Sequence, residues 1–235
     1  MADPAGSARA LEAAGPFFGL ALAEAWTSWL AGSAGVGAVV VAEDGQLLAR
    51  GRNAMFEPPS PDAPLAGTYM AHAEMAALAR LPVGDYRGCA LYSTFEPCAM
   101  CAATIRMYRI GTLHYASADP VWDGLHDAFM SVPAMARRLP ERVLLGGPIG
   151  VFGHVLHLVA LHDRAPEYVL SAHERLAPNE LALARRLHED GRLMALQAAG
   201  SSVAEAIEAI WPELVASAGP TAGSKAAGSE AAGSK

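Results

Sequence analysis

The chain has 235 residues, 52% of them hydrophobic, which suits one sizeable folded domain with an appendage. Seventeen lysines and arginines against 24 acidic residues give a formal net charge of -7, which argues against holding nucleic acid by bulk positive charge. No uncharged apolar run reaches the ~18 residues of a membrane span, and three cysteines are too few for a disulfide framework.

In chain order, "PFFGLALAEAWTSWL" (16–30) has the length of a signal-peptide core. However, Asp3 and Glu12 precede it, Glu24 interrupts it and no basic segment leads it. Phe18, Leu22, Trp26 and Trp29 repeat at helical spacing, opposed by Glu24, Thr27 and Ser28. This pattern predicts an amphipathic helix and a cytoplasmic protein. "VGAVVVAEDGQLLARG" (36–51) reads as a hairpin about an "EDGQ" turn. A proline-rich loop, "FEPPSPDAPLAG" (56–67), leads into a helix near His72. "GCALYST" (88–94) reads as a buried strand, and Pro97 as the first residue of a helix over 97–107 bearing Cys98 and Cys101. "IGTLHYA" (110–116) and "RVLLGG" (142–147) are further strands, the second followed by a helix over 149–162. Strands alternating with helices predict a mixed, largely parallel sheet covered on both faces.

From about 165 to 217 the pattern is purely helical, so the chain divides into 1–164, a helical extension over 165–217 and a tail over 218–235. Val203, Ile207, Ile210 and Leu214 form a stripe, with Ser202 and Glu205 as a capping box at its start. Leu183, Leu187 and Met194 mark an earlier helical stretch, broken at "EDGR". With four arginines against eight acids, the extension reads as a packing or dimer element, and a substrate lid is the sharper alternative. The tail, "TAGSKAAGSEAAGSK", lacks side chains that pack and is expected to be disordered.

The chemistry lies in two short stretches, His72-Ala73-Glu74 and Pro97-Cys98-Ala99-Met100-Cys101. Cysteines three apart on a helix project from one side, and the first turn favours their thiolates through free N–H groups and the helix dipole. Two thiolates and one imidazole suit zinc, and three protein ligands leave a fourth tetrahedral position for water, as in catalytic zinc sites. Zinc brings the pKa of such a water to about 7, supplying hydroxide as a nucleophile at neutral pH. His72 and Glu74 are two residues apart and do not share a helix face. With His72 at the helix entrance, Glu74 reaches the water without joining the metal. Together the two stretches match the established zinc-deaminase signature, H-x-E followed by P-C-x-x-C.

By that signature the sequence resembles the cytidine deaminase superfamily, in particular its branch of guanine deaminases and bacterial tRNA-specific adenosine deaminases. "VGAVVV", "GRN", "HAEMAAL" and "LYSTFEPCAMCAATI" occur in that branch's order, and "RVLLGGPIG" with its helix resembles the branch's last strand and helix. The likeness covers roughly 17–164. It implies an α/β fold, a three-layer α/β/α sandwich around a mixed five-stranded sheet, here with a C-terminal helical extension. It further implies zinc on His72, Cys98 and Cys101, Glu74 as proton shuttle, and a homodimer. Asn53 matches a position that contacts the base or ribose, Phe95 an aromatic lining the pocket, and the backbone N–H of Ala73 or Cys98 lies near the substrate.

Asp119 and Trp122 follow a strand's C-terminal end, where substrate loops of open sheets gather, and read as pocket residues or as ordinary loop. Glu96 caps the cysteine helix or meets an exocyclic amine. Cys89 reads as core, and His114, His126, His154 and His157 have no partner at metal spacing and read as structural or exposed. Arg106, Arg109, Arg137 and Arg138 read as surface charge. The expected function is hydrolytic deamination of a free nucleobase or nucleoside, with a small-molecule partner and no membrane. A tRNA adenosine deaminase is the alternative, and a zinc-stabilised binding module without turnover is the remote one. Against tRNA stand a longer proline-rich loop over 53–71 and a last helix running out as "HLVALHDRAPEY", without a basic end.

Overall fold

The computed structural model describes residues 4–61 and 63–219, so most of the tail expected at 218–235 lies outside the described residues. Helices α1 (Pro4–Ala14) and α2 (Pro16–Leu30) precede a hairpin of β1 (Gly37–Val41) and β2 (Leu47–Arg52). Helix α3 (Ala73–Leu78), strand β3 (Ala90–Ser93), helix α4 (Ala99–Tyr108) and strand β4 (Thr112–Tyr115) follow. A 3-10 turn (Pro120–Trp122), short helices α5 (Leu125–Met130) and α6 (Pro133–Ala136), strand β5 (Glu141–Leu144) and helix α7 (Gly147–Ala160) come next. The last segment holds α8 (Glu167–Leu176), α9 (Pro178–Asp190), α10 (Arg192–Ala198), α11 (Val203–Ala209) and α12 (Trp211–Ala218). No helix among the described residues is long and apolar enough to cross a membrane.

The strands form one five-stranded sheet in the order β2-β1-β3-β4-β5. β1 runs antiparallel to β2 and β3, whereas β3, β4 and β5 are mutually parallel. The sheet is therefore mixed, but less parallel than its strand–helix alternation suggests. The turn at 42–46 is too short for the crossover that parallel pairing needs.

Every position of β1 is buried, as a central strand covered on both faces requires. Ala38 and Val40 pack with Ala77 and Leu78 of α3 and Ile105 of α4. Val39 and Val41 point the other way, onto Ala21 of α2. This alternation makes the three-layer α/β/α sandwich.

Helix α7 is buried nearly all round. On one side Leu183, Leu187, Ile207, Ile210 and Leu214 of the last helices share a core cluster with its Phe152, Val155 and Leu156. On the other it sits hard against the sheet, because Gly150 and Gly153 carry no side chain. A Cβ on either would lie 2.3 Å from the Ala116 carbonyl oxygen or 2.6 Å from that of Thr94. Burial on every side explains why "IGVFGHVLHLVA" is apolar without a polar stripe.

Two details differ from the sequence reading. Ser28, expected on the polar face of α2, is buried, and its Oγ donates to the Asn53 carbonyl (2.7 Å). Met194 is exposed and Leu193 takes its place, because Gly191 (φ 65°) ends α9 in a left-handed turn and restarts the helix in a new phase.

Gly37 is where α2 touches the sheet: a Cβ there would lie 2.1 Å from the Ala21 carbonyl oxygen and 2.4 Å from the Ala25 nitrogen. Gly37→Ala is expected to lower stability by about 2–3 kcal/mol, since backbone must move to admit it. Gly19→Ala, on α2 with nothing within 4 Å, is expected to raise it by about 0.5–1 kcal/mol. Urea unfolding of the two variants checks both signs.

Candidate metal centre and pocket

Helices α3 and α4 begin beside each other, and each begins at a candidate ligand. His72 is the N-cap of α3 and Cys98 that of α4, both in extended backbone and neither making a side-chain cap hydrogen bond. Cys101 follows in the first turn of α4 and is fully buried. Pro97 thus stands one residue before the N-cap rather than inside the helix, and Cys98 is free to turn toward His72.

The Sγ atoms of Cys98 and Cys101 each lie 3.5 Å from His72 Nδ1. A tetrahedral zinc with bonds of about 2.3 Å to sulfur and about 2.0 Å to nitrogen has N···S edges of about 3.5 Å. Donor set and spacing both fit zinc. Without a cation the centre is in electrostatic conflict. The Cys101 S–H and the His72 ring hold the Cys98 thiol down at about 4 against its burial, while the hydrogen bond to Cys98, with burial, drives Cys101 far up. Burial would lower the His72 pKa, but its bond to Cys98 and the charge of Glu74 outweigh this and raise it. Binding of all three to one metal ion replaces those protons and removes the conflict.

Glu74, in the first turn of α3, is 3% exposed, and Ser93 Oγ donates to its Oε1 (3.2 Å). Burial pushes its carboxyl up, opposed by the charge on His72. Asn53, just after β2, is 4% exposed. Its Oδ1 accepts from Ser33 Oγ (2.9 Å) and from the Met55 N–H (3.0 Å), which fixes the amide so that its NH₂ is the free end. Ser28 and Ser33 are thus part of the site, although neither stood out in the sequence. They read there as an ordinary helix face and a turn.

Both Glu96 oxygens have protein partners. One accepts from the Arg142 guanidinium and the other from the Asp119 N–H (2.9 Å), which ties β5 to the loop after β4. Asp119 accepts from the Val121 N–H (2.9 Å), and burial pushes its carboxyl up to about 7.

These residues surround one cavity of about 520 Å³. Asn53, His72, Ala73, Glu74, Phe95 and Cys98 line it, and Glu96, Asp119 and Trp122 close its near side. Cys101 lies behind, out of contact with the cavity. The sequence reading did not single out, among the other wall residues, His157 of α7 or Arg164, Tyr168, Val169 and His173 about the start of the last helical segment. His157 reads there as structural or exposed, because neither it nor His154 has a partner at metal spacing in that apolar helix.

Two other features are less suited to chemistry. A larger cleft of about 700 Å³ runs along edge strand β2 and holds none of the histidine or cysteine ligands. His162, Asp163 and His188 also gather their donor atoms within 4.8 Å. However, the imidazoles stack face to face at 3.7 Å and 14°, so their lone pairs run side by side instead of converging.

Comparison with known proteins bears on the same centre. Residues 12–117 match the model of the cytidine and deoxycytidylate deaminase zinc-binding region. A tRNA-specific adenosine deaminase of Aquifex aeolicus is 32% identical over 117 residues, 48% of this chain and 72% of the relative. A guanine deaminase of Bacillus subtilis is 31% identical over 120 residues, 47% of this chain and 72% of the relative. A tRNA(Ile)-lysidine synthase of Deinococcus radiodurans is 38% identical over 89 residues, 36% of this chain, and the chain spans only 14% of that longer protein.

Cys98→Ala and Cys101→Ala are each expected to lose zinc and activity and to melt at lower temperature. Zinc at a thousand times its Kd stabilises the folded state by about 4 kcal/mol through linkage alone. Cys89→Ala, outside the centre, should keep its metal. Metal analysis by mass spectrometry on the three variants checks the assignment, and a Cys101 variant that retains stoichiometric zinc would contradict it.

Proposed function

The chain belongs to the cytidine and deoxycytidylate deaminase zinc-binding family, whose relatives include guanine and tRNA-specific adenosine deaminases, and from that membership we propose that it deaminates a small free nucleobase or nucleoside by hydrolysis. The observation that carries the reading is a buried carboxylate, Glu74, beside a three-ligand centre at the wall of one cavity. A closed structural site uses four protein ligands and needs no neighbouring acid.

In this reading His72, Cys98 and Cys101 hold zinc, which when bound acidifies a water to a pKa of about 7 and so supplies hydroxide for attack on the ring carbon bearing the amine. Glu74 takes the water's proton and passes it to the adjacent ring nitrogen, giving a tetrahedral carbon in the base. A second proton travels by the same carboxylate to the amine, which leaves as ammonia while the carbonyl forms. The upward push on its pKa suits Glu74 to both taking and giving a proton. The Asn53 NH₂ donates to an acceptor on the ring, and Phe95 and Trp122 flank the base. Glu96 acts through Asp119, whose loop it holds.

The small-molecule reading draws support from the last helical segment. Val169 and His173 wall off the cavity, and acidic residues outnumber arginines around them. Three of the arginines that could grip a tRNA backbone have partners within the chain. Arg142 pairs with Glu96, Arg109 lies 3.7 Å from Asp85, and Arg106 donates to the Ala134 carbonyl. One observation favours the tRNA reading. Tyr69 (86% exposed), Tyr168 (67%) and Phe56 (42%) border the cavity mouth with Arg164, and exposed aromatics of this kind stack single-stranded bases.

Glu74→Gln is expected to keep zinc and fold while turnover falls by about 10²–10⁴-fold, the usual worth of an acid–base group. Ammonia release from the purified protein should be seen with a base or nucleoside among guanine, adenine, cytosine and their nucleosides. Turnover of tRNA alone, with salt-sensitive binding, would instead establish the second reading. A Glu74→Ala variant as active as the parent would exclude both.

A further inference from the structure

His157 projects from α7 into the catalytic cavity, and its tautomer is fixed by its surroundings. Nδ1 lies 2.7 Å from the carbonyl oxygen of Ala34. A carbonyl only accepts, so Nδ1 carries the proton, and in the neutral ring Nε2 is left as a bare acceptor. Burial keeps the ring neutral, pulling its pKa down to about 4 against the opposing effect of that carbonyl. Nε2 pairs with no group among the described residues.

The ring has little freedom to turn away. Phe95 packs against it at 4.7 Å between centroids, and Phe95 is itself held edge-on by His154 at 5.0 Å. Both histidines ride on α7, whose seat on the sheet is set by Gly150 and Gly153. His173 of α8, its ring 5.1 Å from that of His154, repeats the arrangement. Its Nδ1 donates to the Val169 carbonyl (2.8 Å), and its Nε2 is fully buried without a partner. The acceptor that α7 presents to the cavity is therefore His157 Nε2, and the Asn53 amide presents a donor.

We propose that His157 is a specificity-determining residue whose Nε2 accepts the N–H at the glycosidic nitrogen of a free nucleobase. This rests on the small-molecule deaminase reading of the site and narrows it. In a nucleoside or a polynucleotide that nitrogen carries a sugar carbon in place of the hydrogen. Such a substrate covers Nε2 without pairing it, and sites built around a hydrogen bond reject analogues lacking it more strongly than apolar pockets reject a missing methylene. Arg164, Tyr168, Val169 and His173 line the cavity together with His157.

The test uses the zinc-loaded parent, His157→Phe and His157→Gln. Substrates are guanine, adenine and cytosine, their nucleosides, and counterparts methylated at the glycosidic nitrogen (9-methylguanine, 9-methyladenine and 1-methylcytosine). kcat/KM is measured where turnover occurs, and competitive inhibition constants elsewhere. For the preferred free base, His157→Phe is expected to lose roughly 10- to 100-fold in kcat/KM. Its affinity for the methylated counterpart should change by less than about threefold, since that molecule never made the bond. Gln keeps an acceptor oxygen and an N–H for Ala34, so His157→Gln should recover part of the loss and, by its melting temperature, show that the fold tolerates change here. An equal fall on free and methylated bases would overturn the proposal, as would a loss confined to nucleosides, which would assign Nε2 to a ribose hydroxyl. A parent that turns over no base or nucleoside would remove the small-molecule reading itself, whereas an active parent indifferent to His157 removes only this inference.

Discussion

Three electron-rich atoms, one imidazole nitrogen and two sulfurs, meet at the facing ends of two helices, and the rest of the site is arranged around that meeting. The spacing of 3.5 Å from Nδ1 to each sulfur is the edge of a zinc tetrahedron. Neither His72 nor Cys98 satisfies its own helix end, so each helix start is specified by the needs of the centre and not by capping chemistry. The extended backbone at His72 turns its ring toward the sulfurs and lets the following turn carry Glu74 into the same space. One N-cap thus separates ligand from acid, although the two residues are only two apart.

Around this centre the pocket is assembled from parts of the chain with different work to do. The hairpin end supplies Asn53, whose amide is fixed by Ser33 and by the chain's own Met55 N–H. The loop after β4 supplies Asp119 and Trp122, anchored through Glu96 and Arg142. Burial then sets their electrostatics. Glu74 and Asp119 are pushed up, while His157 is pushed down and stays neutral. None of these shifts needs an unusual residue. Each follows from withdrawing an ordinary one from water beside specific partners.

Much of this was legible in the sequence, for identifiable reasons. The hairpin, the strand run and the helix with Phe18, Leu22, Trp26 and Trp29 have strong periodicity, and the structure contains them within a few residues. The two short motifs brought His72, Glu74, Cys98 and Cys101 together because their chemistry has few other uses. Local pattern failed where the deciding partner was distant in sequence. Ser28 sits on a helix face that looks polar until Asn53 is folded beneath it. His157 lies 123 residues from the carbonyl that sets its tautomer. The mixed sheet and its antiparallel hairpin were legible, but the antiparallel pairing of β1 with β3 was not, because strand–helix alternation says nothing about strand direction. The family match ends at residue 117, so the α8 side of the cavity had no motif to announce it.

The close seating of α7 on the sheet divides the cavity into a part that is fixed and a part that is adjustable. With carbonyl oxygens 2.3 and 2.6 Å from where side chains would begin at Gly150 and Gly153, the helix has no room to accept bulk on that face. It also has no room to retreat, because the Leu187 and Ile207 core presses on its far side. Remodelling for a wider or narrower substrate has to spare this floor. It falls to the exposed positions of the roof, Arg164 and Tyr168, which already stand in solvent. Chemistry and the width of the mouth are thereby separable in this chain: a designer, or selection, could exchange those side chains and leave the floor with His157, the acid, the ligands and their helices as they are.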